Sequence, residues 1–172
     1  EKKYFRNVTH HVIANNKNAI EAMTREAKKL NLRPRILTTK LRGESRDIGT
    51  NLARTRLKPR DVLLAAGETT VTVTGNGKGG RNQELVLGAM GRLGLDMTIA
   101  SINTDGIDFV TDAAGAIADI DDQKRASRKG LNPKTYLARN DSHTFFKKLG
   151  KNLIVTGSTG TNVADLVVVV RL

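Results

Sequence analysis

Short runs of β-branched and aliphatic residues alternate along this chain with stretches in which apolar positions recur every three or four residues. The first pattern fits strands, the second amphipathic helices. Residues 11–14 (His-Val-Ile-Ala) read as a short strand, followed by a helix whose apolar face is Ala19, Ile20, Met23, Ala27 and Leu30. Residues 35–38 make a second strand, and residues 44–56, with Ile48, Leu52 and Ala53 on one side, a second helix. Residues 61–66 (Asp-Val-Leu-Leu-Ala-Ala) form an apolar run of the kind buried inside a sheet. Gly67 and Glu68 then turn the chain into a strand over residues 69–74, consistent with a hairpin and one antiparallel pairing.

Further on, Leu85, Val86, Ala89, Met90 and Leu93 keep helical spacing, and residues 97–102 return to strand character. Residues 119–129 are highly charged with little apolar periodicity, which predicts a solvated helix; Asn132 and Pro133 start a short one. Asp141 is placed to cap a helix over residues 142–149, and Gly150 to end it. Residues 153–156 and 166–170 are two last strands around a polar turn. The whole predicts an α/β fold: a mixed, mainly parallel sheet flanked by helices, with the βα units of residues 1–60 packed with residues 61–172 as a single domain.

At 172 residues the chain can bury one good core. No apolar run approaches the roughly 20 residues that cross a bilayer, and nothing at the start resembles a signal peptide. The absence of cysteine removes disulfides and thiolate metal sites and fits a cytoplasmic protein with no membrane partner. A first residue of Glu1 rather than methionine suggests a fragment or processed product. The net charge of +12 is uneven, since residues 1–60 hold 16 Lys and Arg against 5 Asp and Glu. Nucleic acid is not the expected partner: there is no zinc, helix-turn-helix or RNP-like pattern, and 3% aromatic residues give no stacking platforms. A basic surface meeting an acidic partner domain accounts for the excess equally well, as does simple solvation.

The chemistry concentrates in three polar segments. Residues 75–84 (Gly-Asn-Gly-Lys-Gly-Gly-Arg-Asn-Gln-Glu) join strand to helix, so Gly77, Gly79 and Gly80 let backbone amides approach an anion while Lys78 and Arg81 add charge. Gly75, Gly77 and Gly80 match the dinucleotide G-x-G-x-x-G, but no acidic residue closes a second strand, and a P-loop would need Ser or Thr after Gly-Lys. A mobile turn without a ligand is the plainer alternative. Residues 104–115 begin Thr104-Asp105-Gly106-Ile107-Asp108 at a strand's carboxyl end and suit an oxygen-ligated Mg²⁺ through Asp105 and Asp108. Alternatively Asp108 stabilises a turn and Asp112 caps a helix. Residues 156–162 include Thr156, Gly157, Gly160, Thr161 and Asn162, which suit phosphate or adenine-ribose, or equally a loop satisfying its own backbone. His10, His11 and His143 lack ligand spacing and read as structural or exposed.

Together, residues 79–84, residues 104–108 with Thr111-Asp112-Ala113-Ala114-Gly115, and residues 156–163 resemble the MOFRL domain, the C-terminal domain of type 2 glycerate kinases, some also called hydroxypyruvate reductases. The resemblance runs from about Val62 to the end, and residues 1–60, with Val12 to Asn16 and Ala19, look like the segment preceding it. Two details depart from the pattern: Phe109-Val110 stand where Gly-Pro is usual, and Ser158 where proline is common.

The resemblance implies ATP-dependent, Mg²⁺-supported transfer to D-glycerate, usually at the 2-hydroxyl, in a cleft between two domains. Arg81 would neutralise the glycerate carboxylate or the transferring phosphate, Asp105 would orient metal or substrate, and Asn162 would add a polar contact. A catalytic lysine would come from an N-terminal kinase domain missing here, so the 172 residues alone would be inactive. A homodimer is left open. The rival readings are an NAD-dependent hydroxypyruvate reductase and a non-catalytic ligand-binding module.

Overall fold

The computed structural model describes residues 2–172. After a 3-10 turn at Lys2–Phe5 come α1 (Asn16–Lys29), β1 (Arg33–Leu41), α2 (Ser45–Ala53), β2 (Asp61–Gly67) and α3 (Arg81–Met90). Then follow β3 (Met97–Asn103), β4 (Gly115–Asp119), α4 (Ile120–Arg128), α5 (Pro133–Leu137), α6 (Ser142–Leu149), β5 (Leu153–Ile154) and β6 (Asp165–Arg171). The strands form one sheet in the order β1-β2-β6-β3-β4-β5.

The expected α/β class with a mixed sheet is what the chain adopts, but the balance of pairings differs. Only β1 and β2 pair in parallel; β2–β6, β6–β3, β3–β4 and β4–β5 are antiparallel. Strands β1, β2, β3 and β5 do point the same way, yet β6 and β4 are inserted between them. The C-terminal strand reaches the middle of the sheet because its run of four valines can be buried between β2 and β3, a placement decided by long-range pairing rather than local pattern.

Two other strand expectations fail. Residues 11–14 are irregular and exposed, Ile13 at 95%, because β-branched residues make a strand only where a partner ladder exists. Residues 69–74 hold just an isolated bridge, Thr70 to Glu44, since both edges of β2 are already taken by β1 and β6. Strand β4 was not anticipated; it stands where Asp112 was considered as a helix cap, and its Gly115 packs tightly on the Ser101 carbonyl.

One sheet face carries the larger core. Leu52 and Ala53 of α2, Leu85 to Met90 of α3, and Phe145, Phe146 and Leu149 of α6 cover Leu63, Ile99, Val167 and Val169. The opposite face is covered by α1, whose Ile20 and Ala27 meet Val62, Leu64 and Ala66. Helix α1 starts on a capping box in which the Asn15 side chain accepts from the Lys17 and Asn18 amides. Among the described residues no helix is long and apolar enough to cross a membrane.

Candidate functional site

The register lines up Leu41, Gly67, Asp165 and Asn103 across one edge of the sheet. All three polar segments leave or enter the sheet at that edge, so the topology gathers what the sequence keeps far apart.

Helix α3 begins there, and its first turn is held by Asp108. The Asp108 carboxylate, fully buried, accepts from the Asn82 amide at 3.2 Å and Asn82 Nδ2 at 3.3 Å on one oxygen. Its other oxygen takes the Gln83 amide at 2.9 Å and Gln83 Nε2 at 3.0 Å. Burial pushes this carboxyl above its ordinary range, and the Gln83 and Asn82 donors pull against that shift. With both oxygens committed, Asp108 serves as the anchor of a helix N-terminus, and the expectation of a metal ligand here is corrected. Among the described residues no three His, Asp or Glu side chains converge as a metal site. Gly80 is needed for this anchor: any Cβ on it would strike the Asp108 carboxylate.

Arg81, the first residue of α3, is clamped by Asp165, with Nε to Oδ2 at 2.7 Å and Nη2 to Oδ1 at 2.9 Å. The Asp165 side chain is buried and also accepts from Asn82 Nδ2 at 3.0 Å. Hydrogen bonding to Asp165 raises the arginine's already high affinity for its proton. Glu68 lies 3.5 Å from Nη2, while Nη1 has no protein partner among the described residues. Asp165, Glu68 and Asn82 were missed from the sequence; the available signal was a carboxylate standing directly before the apolar run of β6.

The glycine turn is strapped to the link between α5 and α6. Asn140 Oδ1 accepts from the Thr74 amide at 2.8 Å and the Gly75 amide at 2.9 Å, and Asn140 Nδ2 donates to Glu84 Oε2 at 3.2 Å. Gly77 N reaches Arg139 O at 2.8 Å and Lys78 N reaches Asp141 Oδ1 at 2.9 Å. Asp141 therefore stands at the start of α6 without its side chain capping that helix. The strap consumes the Gly77 and Lys78 amides that the sequence offered to an anion. The Gly79 and Gly80 amides have no protein acceptor among the described residues and remain available at the positive end of α3. A cavity of about 190 Å³ opens over them, lined also by Arg81, Glu84, Val71, Val73 and Phe109. Glu84 lies beneath it, paired to Arg46 at 2.5 Å, and burial raises its carboxyl above the ordinary value.

The other two segments lock onto each other. Thr104 Oγ1 donates to Ala164 O at 2.8 Å and accepts from Val163 N at 2.8 Å. Thr159 donates from its amide to Asp105 O at 3.0 Å and from Oγ1 to Thr104 O at 2.6 Å. Asp105 Oδ1 takes the Ile107 amide at 2.9 Å, while Oδ2 has only a long 3.4 Å contact from Asn162 Nδ2. One oxygen of Asp105 is thus free to accept. Thr156, Gly157, Gly160, Thr161 and Asn162 are exposed, and Thr159 bonds within its own loop to Thr161 at 3.1 Å, as the self-satisfied alternative anticipated. Asp105 and Asn162 are brought together; Arg81 meets Asp165 instead and borders the cavity. His143 is buried, its Nδ1 within hydrogen-bond distance of Gln83 Oε1 at 3.0 Å and its Nε2 3.2 Å from Asp112 Oδ1, so its ring is engaged within the protein.

Comparison with known proteins bears on this edge. The MOFRL family profile matches residues 61–165. The glycerate 2-kinase of Pyrococcus horikoshii is 40% identical over 95% of the chain, and the D-glycerate 2-kinase of Thermotoga maritima 40% identical over 96%. The chain spans 40% and 42% of those two proteins, about two fifths of their length. A crystal structure of glycerate kinase from Thermotoga maritima superposes with a TM-score of 0.91 at 39% identity, covering 96% of this chain and 42% of that one.

Proposed function

Because this chain belongs to the MOFRL family, matched over residues 61–165, we propose that it is the C-terminal part of an ATP-dependent glycerate kinase that makes 2-phosphoglycerate. In this reading residues 61–172 are the MOFRL domain and residues 1–60 the βα segment before it. The edge of the sheet is one wall of a cleft whose other wall is the upstream three fifths of its relatives. What carries the reading is the unpaired amides of Gly79 and Gly80 at the start of α3, beside an arginine already aligned by Asp165, in a chain matched almost end to end by kinases.

Phosphoryl transfer asks a protein for positioning and charge stabilisation. Gly79 and Gly80 donate to an anionic oxygen of glycerate or phosphate. Arg81 offers Nη1 to the same group, and its bond to Asp165 means little conformational freedom is lost on binding. The free oxygen of Asp105 suits one coordination site of Mg²⁺ shared with substrate phosphates, where the ion would supply charge neutralisation; Asp108 is committed to α3 and Asp112 lies against His143 Nε2 at 3.2 Å. Asn162 steadies Asp105 and presents an amide to the cleft.

The test joins the segment to the upstream part its relatives carry and assays glycerate-dependent ADP release with Mg²⁺. Turnover that falls in Arg81→Ala and Asp105→Asn is expected. NADH consumption with hydroxypyruvate and no ADP release would overturn the reading, as would full glycerate kinase activity from the 172 residues alone.

A further inference from the structure

The edge of the sheet opposite the site gathers part of the chain's excess of cations. There Arg33 N donates to Arg60 O at 2.7 Å, and Arg60 N donates to Arg171 O at 2.6 Å, so the starts of β1 and β2 and the end of β6 are knit together. Arg171 Nη1 reaches back to Leu57 O at 2.9 Å. Cations distant in sequence thereby share one rim. An open groove of about 470 Å³ is lined by Lys28, Arg33 and Arg60. A second, of about 420 Å³, sets Arg56 and Arg171 beside the apolar walls of Leu57, Leu95 and Met97. Arg56 and Lys58 are exposed and have no ion-pair partner among the described residues. Of the rim's carboxylates, Asp61 is already committed to Arg33 Nε at 3.0 Å and the Lys58 amide at 2.8 Å, and Asp96 stands exposed between Leu95 and Met97.

We infer that this rim docks an acidic segment of a separate protein, one in which Asp and Glu are interleaved with apolar side chains. Crowded like charges repel, and carboxylates of a partner relieve that repulsion. Arginine dominates the rim, and its forked guanidinium pairs with a carboxylate at two points. The apolar component is equally present, with Leu95, 73% exposed, lining the same groove as Arg56 and Arg171. Duplex nucleic acid offers phosphates with nothing for those apolar walls, and no aromatic side chain lines either groove for a single strand to stack on. That the partner is a separate protein rests on the kinase reading above, in which the upstream polypeptide lies across the opposite edge and this rim faces away from it.

Binding of a dye-labelled peptide of repeating Leu-Glu-Asp units to the 172-residue chain, followed by fluorescence anisotropy, tests the inference without needing turnover. The peptide is expected to bind, more weakly as salt rises. The combined Lys28→Glu, Arg56→Glu and Lys58→Glu variant should lose about tenfold or more in affinity. Lys17→Glu, Lys124→Glu and Lys134→Glu, the same charge change on other surfaces, should leave it within about twofold. Equal loss in both variants, duplex DNA binding as tightly as the peptide, or no peptide binding at low salt would each overturn the inference. Loss of kinase activity in the joined enzyme would bear on the site and leave this measurement standing.

Discussion

Arg81 and Asp165 meet through two parallel hydrogen bonds, 2.7 and 2.9 Å, that fasten the first residue of α3 to the first residue of β6. The pair ties the glycine turn to the centre of the sheet, since Asp165 sits in register between Gly67 and Asn103. An arginine expected to face a ligand alone is therefore held on one side by protein and open on the other.

Removing one partner of a largely buried pair strands the other charge, so Asp165→Ala should cost about 3–5 kcal/mol of folding stability. The double variant Arg81→Met with Asp165→Leu should recover part of that loss, because no buried charge remains. Urea denaturation of the three proteins checks this; a recovery of nothing would mean that the clamp's shape, rather than its charge, holds the edge together.

Asp108 accepts from four nitrogens of Asn82 and Gln83. In Asp108→Asn, one oxygen can serve the Asn82 pair while the new amide faces the two Gln83 donors. Each buried donor left without an acceptor costs about 1–3 kcal/mol. The thermal midpoint should drop accordingly and the amides of Asn82 and Gln83 should exchange faster. Unchanged exchange would show that the first turn of α3 is held by something else.

Burial raises the Glu84 carboxyl above its ordinary value of 4.5, against the opposing pull of Asn140 and Arg46. The folded state therefore holds the proton more tightly than the unfolded chain does. The stability from this group is complete below pH 4.5 and is lost as pH climbs through the raised folded value. Denaturation measured stepwise upward from mildly acid pH should show Glu84→Gln losing less stability than the natural chain over that window. Parallel curves would contradict the assignment to Glu84.

Gly106 has φ +91°, and a Cβ there would run into the Gly157 carbonyl. Gly106→Ala should cost about 1–3 kcal/mol of local strain and push the two loops apart. The sensitive reporter is the Val163 amide, which donates to Thr104 Oγ1 at 2.8 Å. Its hydrogen exchange should accelerate while that of β2 amides in the core stays slow; a uniform acceleration would mean global rather than local loosening.

The sequence alone located the elements whose signal is local. Apolar spacing found α1, α2, α3 and the buried run of β2, and glycine and hydroxyl clusters marked the three loops, because helix periodicity and turn chemistry are written within a few residues. Gly80 was legible as a close-approach glycine, though the group it admits proved to be Asp108 of the same chain. Where residues depend on partners far along the chain, the tertiary structure decided. Residues 11–14 and 69–74 have strand character and no ladder to join, and β6 became central because its valines fit between β2 and β3. The same long-range packing gave Arg81 to Asp165, filled Asp108 with helix amides and spent the Gly77 and Lys78 amides on the α5–α6 link. Residue type sets which hydrogen bonds a side chain is able to make; only the assembled sheet determines which of them are already made and which stay open for a ligand.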